Sequence, residues 1–276
     1  MSPTVALFVF VFGAIIGSFL NVVIFRYNTG KSIGGRSLCF SCRKTLAWYE
    51  LVPLVSFVVL KGRCRHCKSK ISFQYFFVEL LTGIVFTLTV ARLLELGYLA
   101  LSPWLAFLST LCALVAMSAL IVITVYDLRH KIIPDGPAYL FAMISLARIG
   151  FSYLLDPVGY PWYVDIVSGA LLALFFVGLW YFSSGRWMGL GDGKLVLGMG
   201  WFLPFSQNIA SILLAFWAGA IIGILLLLLS HVVRKYRKQP LTMRSELPFA
   251  PFLIGALFLV FLFDVHLATL VQFFQL

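Results

Sequence analysis

Charge is what this sequence has least of. Only 11% of its 276 residues are charged, while 62% are hydrophobic. That balance excludes an ordinary soluble domain and points to a polytopic membrane protein. Acids are the scarcer sign, ten against twenty-one bases, so a carboxylate inside an apolar run stands out. The four histidines, His66, His130, His231 and His266, fall in loops or at helix ends, which leaves no Ser–His or Cys–His pair for nucleophilic catalysis. No Rossmann-type glycine fingerprint, internal repeat or low-complexity segment is present. No positive charge precedes Arg26, so the N-terminal apolar run lacks the basic start of a signal peptide and is expected to stay as an uncleaved first helix.

What charge there is lies in a few loops. Nineteen of the twenty-one basic residues fall in Arg26–Lys70, Arg129–Lys131, Arg186–Lys194 and Arg234–Arg244. Basic residues confined to alternate loops mark the cytoplasmic side of a membrane protein. Orientation therefore absorbs the net charge of +11. Nucleic acid is not an expected partner, since no basic–aromatic groove is evident.

A helix needs about 20 apolar residues to cross the hydrocarbon core. Val5–Phe25, Ser72–Val90, Trp104–Tyr126, Ala138–Leu155, Val164–Phe182, Ser211–Val233 and Phe249–Phe274 satisfy this. Arg186 and the 234–244 cluster must share one side, which requires a further crossing at the glycine-rich Trp187–Phe205. The expected fold is an all-α membrane bundle of eight helices with both termini outside. Its parts are a first helix (1–26), a cytoplasmic loop (27–71) and a helical bundle (72–276).

The cytoplasmic loop holds Cys39-Phe40-Ser41-Cys42 and Cys64-Arg65-His66-Cys67, two CxxC pairs with 21 residues between them. Two such pairs in a short basic loop on the reducing side of a membrane predict one tetrahedral four-thiolate zinc site at Cys39, Cys42, Cys64 and Cys67. With few other core-forming residues nearby, the metal would supply much of the loop's folding energy. Cys112, alone in the third span, reads as a packing residue.

Two aspartates carry the remaining chemistry. Asp127 closes the third span and Asp192 opens the sixth, within Gly189-Leu190-Gly191-Asp192-Gly193-Lys194. An Asp at membrane depth costs about 2.5–3.5 kcal/mol even on insertion scales, so its presence is a functional hypothesis. By topology both lie at the cytoplasmic edge. Two carboxyls brought together in a poorly solvated site share a proton, and can activate water and protonate a leaving group. Asp127 and Asp192 are therefore the expected catalytic pair of a membrane aspartyl protease. Gly189, Gly191, Gly193 and Lys194 frame the pair, the glycines with backbone conformations closed to other residues. The structural alternatives are neutralisation of Asp127 by Arg129 and helix capping by Asp192. Asp135 is the next acid in line, in the first turn after Pro134. Glu79, inside the second span, is either a helix-joining carboxyl or a further site residue.

These motifs resemble those of the bacterial type IV prepilin peptidases. The resemblance runs through Gly17-Ser18-Phe19-Leu20-Asn21, Trp48-Tyr49-Glu50, Pro53-Leu54-Val55-Ser56 and both CxxC pairs. It continues through Asp127 with Ile133-Pro134-Asp135, then Gly189-Leu190-Gly191-Asp192 with Lys194, and Pro248-Phe249-Ala250-Pro251-Phe252. The chain departs at Phe40, Gly193 and Ala250, where that family more often carries proline, a β-branched residue and glycine. The resemblance implies cleavage of the short basic leader of prepilins and of type II secretion pseudopilins at the cytoplasmic face of the inner membrane. It further implies N-methylation of the new N-terminus with S-adenosylmethionine, an activity associated with the cysteine loop. A proton-relaying transporter and a zinc-knuckle adaptor are the alternatives; a transporter should show repeat symmetry.

Overall fold

In the computed structural model, residues 1–30, 32, 34–96, 102–155, 162–232 and 248–274 are described. The basic cluster at 234–244 lies outside them. The described chain is helical, with two isolated β-bridges, and divides into two compact units, Met1–Val122 and Ile123–Leu276. The boundary falls within one long helix.

In the first unit, α1 (Pro3–Arg26) begins at Ser2, whose hydroxyl accepts from Val5 N, with Pro3 in the first turn. It packs along α3 (Phe73–Glu95). Gly13 and Gly17 permit that approach: a Cβ on either would stand 2.8–2.9 Å from the backbone of Glu79 or Gly83. Asn21 is fully buried and donates to Gly17 O and to Tyr75 O across the pair. Glu79 accepts from the backbone N–H of Leu54 at 2.8 Å. Its carboxyl ties α3 to the loop that carries the short α2 (Val55–Val59).

The second unit takes up the end of α4 (Pro103–His130), then α5 (Asp135–Leu155), α6 (Trp162–Ser183), α7 (Leu190–Phe202), α8 (Phe205–Val232), α9 (Ala250–Phe263) and α10 (Leu267–Phe274). The short α7 is its centre, packed against α5 and α6 and touching α8 and α9. Glycines again set the spacing. A Cβ on Gly198 would stand 2.5 Å from the Phe141 ring, and one on Gly200 2.4 Å from Gly169 Cα. At the far end of α7, Arg148 of α5 donates to the carbonyl of Phe202 and lies 4.5 Å from its ring centre.

Among the described residues five helices, α1, α3, α4, α6 and α8, are long and apolar enough to cross a bilayer, and the chain is a membrane protein. Of the three other expected crossings, Ala138–Leu155 falls on the 21-residue α5, and two take another form. Before Phe205, where α8 begins, the stretch Trp187–Phe205 is helical only over the 13 residues of α7, about 20 Å at 1.5 Å per residue against a core of about 30 Å. Pro204 stops it by forcing Leu203 into extended geometry, with ψ 146°. Phe249–Phe274 is likewise two helices, because Asp264 adopts a left-handed conformation (φ 56°) and ends α9.

Candidate active site

Asp127 sits on the last turn of α4 and Asp192 on the first turn of α7, both within the second unit. They are 4% and 8% exposed, and close enough to interact electrostatically. Each carboxylate is held by an amide at a helix start. Asp127 Oδ2 accepts from the backbone N–H of Ala250, the first residue of α9, at 3.2 Å across 123 positions of chain. Asp192 Oδ2 accepts from the N–H of Gly189, the N-cap of its own helix, at 3.1 Å. The first amides of a helix have no partner within it, and carry the positive end of its dipole. Two such ends thus meet the two acids. Asp127 is held by Ala250 rather than by Arg129, and Asp192 is not the N-cap weighed for it: Gly189 is, and Asp192, at the third helical position, accepts from its N–H with one oxygen.

The segment between Asp127 and α5 folds over the start of α7. Lys131, with φ 55°, closes α4 by donating to Asp127 O at 2.8 Å. Ile133 is buried and rests on Gly191, where a Cβ would stand 2.8 Å from its own Cβ. Asp135 opens α5 and pairs with Lys194 of α7, Oδ1 to Nζ 2.6 Å. The Lys194 ammonium also lies 5.3 Å from the ring centre of Tyr139. Gly189, Gly191 and Gly193 all keep φ outside the left-handed region. Contrary to expectation, what they supply is room rather than unusual backbone: Gly191 for Ile133, and Gly193 for Val177, 3.1 Å from its would-be Cβ.

Sequence reasoning passed over Ala250 N and Ile133. The signal for the first was Pro251, which marks a helix start and therefore an unpaired N–H just before it. Ile133 carried no such signal.

The four cysteines converge in the first unit. Cys39, Cys42, Cys64 and Cys67 place their sulfurs within 4.8 Å of one another. The two CxxC segments are copies of one knuckle. Cys39 N donates to Lys44 O and Arg43 N to Cys39 O, just as Cys64 N donates to Ser69 O and Lys68 N to Cys64 O. Arg43 and Lys68 both take the left-handed conformation, φ 55° and 57°, and bridges Leu38–Thr45 and Arg63–Lys70 close the two knuckles. The backbone N–H of Cys42 pulls the Cys39 thiol down to about 6, and the Ser69 hydroxyl lowers that of Cys67, while Cys42, despite the lowering bond at the Lys44 backbone, is pushed up to about 11 by desolvation and the sulfurs beside it. Thiolate is the form that binds metal. A zinc–sulfur distance of about 2.3 Å gives a tetrahedron with edges of about 3.8 Å. The Cys39–Cys67 sulfur separation is 3.8 Å, so the set fits one zinc ion.

Comparison with known proteins bears on both units. Residues 11–93 match the bacterial peptidase A24 N-terminal domain, and residues 114–224 the type IV leader peptidase family. A prepilin leader peptidase/N-methyltransferase of Myxococcus xanthus is 36% identical over 233 residues, 82% of this chain and 64% of that protein. The Bacillus subtilis protein of the same name is 30% identical over 256 residues, 92% of each chain. A type 4 prepilin-like proteins leader peptide-processing enzyme of Escherichia coli is 33% identical over 214 residues, 70% of this chain and 72% of that protein. No solved structure matches.

Proposed function

The chain belongs to the type IV leader peptidase family, and from that premise we propose that it is a membrane aspartyl endopeptidase. Its substrates are prepilins and pseudopilins, cut at the junction of the basic leader and the mature chain on the cytoplasmic face of the inner membrane. It then N-methylates the new N-terminus. The observation that carries the peptidase reading is the placement of Asp127 and Asp192: both buried in the second unit, and each held by one helix-start amide. A buried carboxylate kept for structure alone is costly unless fully paired; this pair keeps oxygens free for a reacting water.

In the reaction, the ionised carboxyl takes a proton from water as its oxygen attacks the scissile carbonyl carbon. The protonated partner gives its proton to the carbonyl oxygen, and collapse of the tetrahedral adduct passes a proton to the departing amine. The helix starts at Ala250 and Gly189 stabilise the negative charge the pair shares. Cys39, Cys42, Cys64 and Cys67 would hold one zinc ion, which would shape the cytoplasmic loop. S-adenosylmethionine, the methyl donor the family resemblance implies, would supply an electrophilic methyl group for the freed amine. No observation favours a transporter or an adaptor.

The test is cleavage of a purified prepilin by the wild type and by Asp127→Asn and Asp192→Asn variants. Each variant should lose on the order of a thousandfold or more in kcat, the scale at which removing a member of a catalytic unit registers. Cleavage retained by either variant removes the dyad.

A further inference from the structure

We propose that Asp135 and Lys194 are positioning residues for the peptidase, forming with Ile133 and Gly191 a two-point clasp that sets the spacing of the two catalytic aspartates. The inference rests on the peptidase reading above. Asp127 and Asp192 sit on different helices and share no hydrogen bond, so something else must fix their separation. The linker from Asp127 reaches α5 within eight residues, and it is pinned twice to the turn that carries Asp192. The first pin is steric: Ile133 seated on Gly191, the residue before Asp192. The second is ionic: Asp135 Oδ1 to Lys194 Nζ at 2.6 Å, two residues after Asp192. The two pins therefore bracket Asp192 on its own helix. Both lie on the chain that leads directly away from Asp127.

An ordinary exposed ion pair contributes little to stability, and Asp135 is 64% exposed in its side chain. Energy alone gives this pair little purpose. Lys194 is the less exposed partner, at 24%, and its ammonium also faces the Tyr139 ring. That contact draws the second turn of α5 onto the same cation. Both pairing groups stand at helix starts, where a small rotation of α5 against α7 would alter the gap between the acids. Misplacing reacting groups by about 1 Å can cost a hundredfold in rate. The pair's contribution is geometric.

The experiment measures prepilin cleavage by the full-length enzyme in lipid nanodiscs, for wild type, Asp135→Asn, Lys194→Met, the double variant and Asp135→Glu. Thermal unfolding of each sample checks folding. The single variants should lose about 10- to 100-fold in kcat while KM stays within about twofold. The double variant should lose no more than either single one, because one contact is removed in all three. Asp135→Glu should recover most of kcat and keeps the test open if Asp135→Asn fails to fold. Unchanged kcat in both single variants overturns the clasp, as does a rise in KM at constant kcat, which would make these groups substrate contacts. Failure of the wild type to cleave sinks the peptidase reading itself, a different result from a cleaving wild type with unaffected variants.

Discussion

Gly191 is glycine because Ile133 already occupies the space beside it. A Cβ there would come within 2.8 Å of the Ile133 Cβ, a branched carbon that cannot swing aside. Gly191→Ala should therefore destabilise the protein by about 1–3 kcal/mol, the usual cost of overpacking, and slow cleavage by shifting Asp192. Adding Ile133→Ala should restore part of both, read as thermal midpoint and kcat. A Gly191→Ala protein with wild-type midpoint and rate would refute this packing account. At this scale the acids were legible in the sequence, because carboxylates at the edge of apolar runs are costly to place. The donor to Asp127 was not: Pro251 marks an unpaired N–H at Ala250, but nothing local says that it reaches Asp127 across 123 positions.

Among the elements, the cysteine knuckles were the most readable and α7 the least. CxxC spacing is a short-range constraint, and each knuckle closes on its own residues, Cys39 to Lys44 and Cys64 to Ser69. Replacing Cys39 and Cys64 by serine, or treating the enzyme with a strong zinc chelator, should lower bound zinc from about one ion per chain to near zero by elemental analysis. The loop should then become sensitive to limited proteolysis, since metal binding and folding are coupled there. Zinc content unchanged by both substitutions would remove the site. For α7, the charge rule required a crossing, yet the helix has 13 residues. Pro204 cut it short, and its buried face of Leu195, Val196 and Met199, all at 0% exposure, meets protein where a crossing helix would meet lipid.

Across the whole chain, the distribution of basic residues predicts an N-terminus outside and loops 27–71, 128–134 and 234–244 in the cytoplasm. Single cysteines placed at Ser2 and at Arg237, in a background lacking native cysteines, test this with a membrane-impermeant thiol reagent on intact cells. The first should label and the second should not; the reverse pattern would invert the topology and move the proposed site to the other face. The sequence by itself determined the membrane character, the helical class, the cysteine tetrad and the two suspect acids. Each of these follows from composition or from spacing along the chain, where hydrophobicity, charge and thiol chemistry act locally. Only the tertiary structure decided that α7 is a short buried helix, that the starts of α7 and α9 each offer an amide to an acid, and that Ile133 and Asp135 fasten onto Gly191 and Lys194. Apart from the Gly189–Asp192 bond, those are contacts between segments far apart in sequence, set by which helix faces pack closely enough to meet, and glycines at 169, 191, 198 and 200 are what let them come that close.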